Sequence, residues 1–155
     1  MTKEEINEFS VRISQSTKTE LVAITCEIAV NYMKSAVEAL EKNSTDDFRF
    51  NLDKAMAFID DLSGSLDMQY SISYNLISLY MFVKKIIMKS SIRKEKGDMD
   101  EAIKIMTQIG EAFATVAKNN MEIAKNDMSM DGGETIYTGY TYGRDSRLDE
   151  YIVRN

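Results

Sequence analysis

Proline and histidine are absent from these 155 residues, glycine occurs seven times and cysteine once. Each shortage closes off a class of answer. A chain with no proline and little glycine lacks the turn chemistry that many short strands need, and strong helix formers dominate, so the fold class expected is all-α. Without histidine the chain lacks the usual zinc and iron ligand and the commonest general base. The di-metal carboxylate sites of helix bundles call for Glu-x-x-His on two helices and are excluded by the same absence. No cofactor and no metal are expected. Cys26 cannot form an intrachain disulfide, which suits a reducing, cytoplasmic compartment. It also sits beside Glu27, which offers nothing to lower a thiol pKa, so no nucleophilic role and no enzyme are expected.

Long apolar runs are missing too. The stretch from Ile72 to Met88 is broken by Ser, Asn and a Lys pair, so membrane insertion is not expected, and the acidic start from Thr2 to Glu8 is unlike a signal peptide. Cations are outnumbered, with 19 Lys and Arg against 25 Asp and Glu and a net charge of −6. That balance argues against general binding to nucleic acid or anionic lipid, both of which call for a basic face. What is plentiful is methionine, eleven in all. Met is flexible and polarizable; it fills gaps in cores and also lines surfaces that fit an adaptable partner.

The length fits one domain able to bury about 70% of its unfolded surface without staples. In residues 2 to 13, Ile6, Phe9 and Ile13 recur at helical spacing, and Thr2 with Glu5 can form a capping box. A segment this short holds only by packing on something else, as a frayed arm or as a lid. A first long helix is predicted from Thr17, capped with Glu20, to about Lys42. Leu21, Ile24, Ile28, Tyr32, Ser35 and Ala39 line one face; Cys26, Val30, Met33 and Val37 line another. A second runs from about Asp46 to Leu66, with Phe48, Leu52, Ala55, Ile59, Leu62 and Leu66 toward the core and a thinner line of Phe50, Ala57 and Gly64 opposite. A third is expected from a cap at Ser71 to about Ile92, with Gly97 ending the segment. Asp98 and Glu101 start a fourth, whose core stripe is Ala102, Met106, Ile109, Phe113, Val116 and Ile123. Short connections favour antiparallel neighbours, so the expected architecture is an up-down-up-down four-helix bundle.

The third helix has more apolar surface than one core uses. Ile72, Leu76, Leu79, Val83 and Ile86 line one face, and Tyr74, Ile77, Met81 and Met88 nearly the opposite one. The first set is expected in the core. The second is expected to hold a partner, with Phe50 and Ala57 extending the surface and Ile6 and Phe9 as lid residues covering part of it when it is empty.

KAMAFIDDLSGSLDM (Lys54 to Met68) and ISYNLISLYMFVKK (Ile72 to Lys85) resemble the flagellar secretion chaperone family FliS, through Lys54–Ala55, Ser65–Leu66–Asp67, Asn75–Leu76 and Leu79–Tyr80. The likeness in layout spans about residues 13 to 118. The departures are Gln15 to Lys18, where the family enters its first helix with Thr-Ala-Ser-Pro; Thr25 to Ile28, where it has Leu-Tyr-Asp-Gly; and Met68, Gln69 and Tyr70 in its acidic turn. The resemblance implies a cytosolic export chaperone, a four-helix bundle that holds the disordered C-terminal segment of flagellin, stops it polymerising early and helps deliver it to the flagellar type III export machinery, the bound segment folding into helices around the bundle's outside. It also brings Asn75 and Tyr80 forward as partner-binding residues, whose polar ends could instead fix the packing of the second and third helices. Components of the export apparatus are further possible partners, and the chain is expected as a monomer or weak homodimer. Two rival readings stay open: a regulatory adaptor of the same fold that binds a non-flagellin motility protein, and a bundle that associates with itself. The domain is expected over residues 1–126. Residues 127–155 are read as a Tyr-rich tail, in which Ile136, Tyr137, Tyr140 and Tyr142 are available to dock on an apolar groove.

Overall fold

Thr2 and Thr17 each start a helix by the same exchange of hydrogen bonds. Thr2 Oγ1 accepts from the Glu5 amide at 3.2 Å while a Glu5 carboxylate oxygen accepts from the Thr2 amide at 2.6 Å. Thr17 and Glu20 repeat it at 3.2 Å in both directions. Each box satisfies two of the amides that a helix start leaves open, and the loss of such a capping hydroxyl typically costs about 1 kcal/mol.

A computed structural model describes residues 1–128, which form five helices and no strand: α1 (Lys3–Ser14), α2 (Lys18–Glu41), α3 (Thr45–Gly64), α4 (Ser71–Arg93) and α5 (Met99–Met128). Of the tyrosine-rich tail read over residues 127–155, the first two residues end α5 and the rest lies outside the described residues. None of these helices is long and apolar enough to cross a membrane.

Two expected boundaries are corrected. The residue flanking α4 is Tyr70 rather than Ser71, and no side chain caps it. The turn is tied by Asp67 instead: its carboxylate accepts from the Gln69 amide at 3.0 Å and its backbone carbonyl from the Ser73 hydroxyl at 2.6 Å. At the other end α4 stops at Arg93, because Lys94 takes the left-handed conformation, φ 55°. Gly97, φ 51°, shapes the following turn and does not itself end the helix.

α2 packs on both α3 and α5, α3 packs on α4, and α4 packs on α5, so the four long helices close a ring. α1 lies on α2. The ring encloses one core, which takes all six residues expected of this stripe: Phe48, Leu52, Ala55, Ile59 and Leu62 on α3, and Leu66 just past its end. On α5 it takes Ala102, Met106, Ile109 and Phe113 together with Met99, while Val116 and Ile123 are half-buried.

On α2 both apolar faces are used, by different neighbours. Val22, Cys26, Ala29, Val30, Met33, Ala36 and Ala39 join the ring's core. Ile24 and Ile28 form a second, smaller cluster with Phe9 of α1, against which Tyr32 and Phe58 pack. The surplus face of α2 is therefore covered by the chain's own first helix. Gly110 of α5 is buried against α2: a β-carbon there would lie 3.0 Å from the Cys26 Cβ and 3.5 Å from the Ala23 carbonyl oxygen.

Candidate partner-binding face

The core side of α4 is rotated from the one the spacing suggested. Leu76, Val83 and Ile86 are buried as expected, but Ile72 and Leu79 are exposed, and Ser73, Tyr80, Ile87 and Ser90 take their places. The rotation follows from polar groups the periodicity count ignored. Ser73 and Ser90 each satisfy their hydroxyls on a backbone carbonyl, Asp67 O at 2.6 Å and Lys96 O at 3.0 Å, which lets both serines go inside at the two ends of the helix.

Tyr80 corrects a partner-binding expectation. It is 0% exposed, so in the free chain it belongs to the core and not to the outward stripe. Nor does it fix the packing through a hydrogen bond, since its hydroxyl has no partner among the described residues. It lines a cavity of about 260 Å³ with Val22 and Thr25 of α2 and Phe58 and Leu62 of α3. Burial pushes its phenol pKa up, and nearby Cys26 adds a smaller effect in the same direction. Asn75, the other residue brought forward by the resemblance, is exposed.

The outward side of α4 keeps Tyr74, Met81 and Met88 in solvent, with Met81 62% exposed. Ile77 is half-buried and packs against the core, so it sits at the edge of that stripe. Two further residues belong to the face and were missed: Phe82 and Ile92, the latter 79% exposed. Ile92 follows Met88 at i+4 and continues the stripe to the last turn of α4. Phe82 lies about 100° from Met81 around the axis, among the lysines, where counting one stripe does not find it.

On α3, Phe50 and Ala57 are exposed, and Gly64 has no atom within 4 Å of where a β-carbon would stand. The Lys54 ammonium lies over the Phe50 ring, 5.6 Å from its centroid. Lys84 of α4 is paired with Asp60 of α3. Met81 and Met88 are three before and four after Lys84, and Ala57 and Gly64 are three before and four after Asp60, so this ion pair joins the two exposed lines. They form one outer surface across α3 and α4.

The lid residues separate. Phe9 is 7% exposed, seated on Ile24 and Ile28, whereas Ile6 is exposed. Arg12 stacks over Phe9, 5.3 Å from the ring centroid, and donates to both carboxylate oxygens of Glu27 at 3.1 and 2.7 Å. The Glu27 hydrogen bonds raise the pKa of the guanidinium against a smaller opposing effect of burial. α1 is thus fastened to α2, away from the stripe of Met81 and Met88 that it was expected to cover.

Cys26 is 0% exposed and burial pushes its thiol pKa up to about 12. That is the opposite of what a nucleophile needs. The exposed apolar side chains on α3 and α4 are of the kind that helix-in-groove recognition uses.

A family model described as flagellar protein FliS matches residues 3–120. No curated protein is similar enough to match the chain. The matched span takes in α1, all of α2, α3 and α4, and α5 as far as residue 120.

Proposed function

The chain belongs to the FliS family of flagellar export chaperones, and from that premise we propose that its client is the C-terminal segment of flagellin. The ring of α2 to α5 acts as an up-down-up-down antiparallel bundle, and the chaperone unit is the chain up to about residue 126. It works in the cytoplasm, holding the client segment against early polymerisation until the type III export machinery takes it.

The single observation that supports this reading is the exposed apolar line on α4, Tyr74, Met81, Met88 and Ile92, joined to Phe50 and Ala57 of α3. A segment that folds as it binds loses about 2 to 5 kcal/mol to ordering, and a long apolar contact is what offsets that loss. Tyr74, Ile77, Met81, Met88, Phe50 and Ala57 supply such a contact, with Asn75 at its start; Tyr80 is left out of the set because it is buried.

The test is to mix the full chain with a flagellin C-terminal segment and follow ellipticity at 222 nm alongside sedimentation. A complex that gains helix beyond the sum of the two free components is the expected result. No complex at micromolar concentrations overturns the assignment of the client. A species of twice the chain's own mass without any bound segment favours self-association instead.

A further inference from the structure

The charge on α4 runs against that of the rest of the molecule. Ser71–Arg93 holds Lys84, Lys85, Lys89 and Arg93 and not one acidic residue, in a chain whose net charge is −6. Lys84 is neutralised by Asp60. Among the described residues Lys85, Lys89 and Arg93 have no ion pair, and all three are exposed.

Their positions are not random around the helix. Lys85 lies four residues after Met81 and Lys89 four residues before Arg93, so at about 100° per residue Lys85 falls within the line of Met81, Met88 and Ile92, and Lys89 and Arg93 run along one border. The result is an apolar strip edged by positive charge, on a helix whose other border is already closed by an internal ion pair.

We infer that this face selects an acidic amphipathic helix, one whose apolar stripe is flanked by Asp or Glu. The inference rests on the proposed function and deepens it, since it names the chemistry of the segment the face takes. Carboxylates beside the partner's apolar stripe meet Lys89 and Arg93 at the rim of the contact and Lys85 just inside it, where charge acts chiefly on partner choice and association rate. A cationic helix of equal apolar area meets three unpaired cations there and is rejected. An anionic bilayer could use the same strip, but the remainder of the chain is more negative than the whole and is repelled from such a surface.

The experiment uses the full chain and two designed 20-residue peptides with identical apolar stripes, one flanked by Glu and one by Lys, with binding followed by fluorescence anisotropy at low and high salt. The Glu peptide should bind at least about tenfold tighter at low salt, and the gap should narrow as salt rises. The double substitution Lys85→Glu with Lys89→Glu should reverse the order of the two peptides. Equal binding of both peptides, or an order that the double substitution leaves unchanged, overturns the inference. So does binding to phosphatidylglycerol vesicles that is lost in the double variant when neither peptide binds. A flagellin segment that binds while the peptides show no preference defeats the charge assignment alone. A clear peptide preference with no binding of flagellin defeats the choice of client alone.

Discussion

Gly110 and Cys26 set the distance between α5 and α2: a β-carbon on Gly110 would come to 3.0 Å from the Cys26 Cβ. That contact is with an atom fixed to the α2 backbone, which cannot swing aside as the end of a long side chain could. Gly110→Ala gains up to about 1 kcal/mol in helix propensity but forces two packed helices apart, which costs about 1 to 3 kcal/mol. The net expectation is a loss near 1 kcal/mol in urea unfolding. In a Cys26→Gly background the same Gly110→Ala change should become stabilising, and a cycle with no coupling between the two sites would show that the close approach does not set the spacing.

Tyr80 is buried with its hydroxyl unpaired. Removing an unsatisfied polar atom without changing the ring relieves a desolvation penalty of about 1 to 3 kcal/mol. Tyr80→Phe should therefore match or exceed the parent chain in stability, while Tyr80→Ala, which empties a core position, should lose about 3 to 5 kcal/mol. A large loss for Tyr80→Phe in chemical denaturation would mean that the hydroxyl makes a bond in solution.

Cys26 gives the protein an alkaline weakness. Its folded-state pKa is about 12 against an ordinary value of 9.0, so the protonated thiol is favoured by folding. That contribution is fully present below about pH 9 and is lost as pH climbs toward 12, at about 1.4 kcal/mol per unit. Tyr80, whose pKa is also raised by burial, acts in the same sense. Unfolding midpoints measured from pH 7 to 11 should fall above pH 9, and Cys26→Ala should flatten part of the fall. At pH 8 a thiol reagent should modify Cys26 only at the rate of global unfolding.

Met81 and Leu76 make a matched pair on one helix, the first 62% exposed and the second buried. Met81→Asp should leave stability within about 0.5 kcal/mol of the parent chain, as surface changes usually do, yet weaken binding of the flagellin segment at least about tenfold. Leu76→Asp should unfold the chain. If Met81→Asp unfolds it as well, as judged by circular dichroism, α4 does not present this side to solvent.

Much of this was legible in the sequence, and where it failed the failures have physical causes. Both Thr-x-x-Glu boxes and the whole α3 stripe read directly, because α3 has one wet side and one dry side, and its core residues repeat at a single phase. α2 does not. It touches α1, α3 and α5, so Ile24 and Ile28 are as buried as Cys26 and Met33, and periodicity alone cannot say which neighbour takes which face. Alanines were undervalued as well: Ala29, Ala36 and Ala117 are buried although none was counted in a stripe. On α4 the count of apolar residues missed two buried serines whose hydroxyls are satisfied by backbone, and with them the rotation that sends Tyr80 inside and leaves Ile72 and Leu79 outside. Tyr74, Met81 and Met88 stay exposed despite that rotation because they lie far enough around the helix.

α2 finds half of its core partners at the far end of the described chain, on α5. During synthesis, then, the side of α2 where Cys26 and Val30 meet Met106 and Gly110 has no permanent cover until those residues have left the ribosome, while α3 can dock much sooner. At about 5 to 20 residues per second the interval between the emergence of α4 and that of Phe113 lasts on the order of seconds. A nascent chain halted in that interval leaves part of the α2 core face open, so the fold passes through a stage in which it lacks the cover that α5 later supplies.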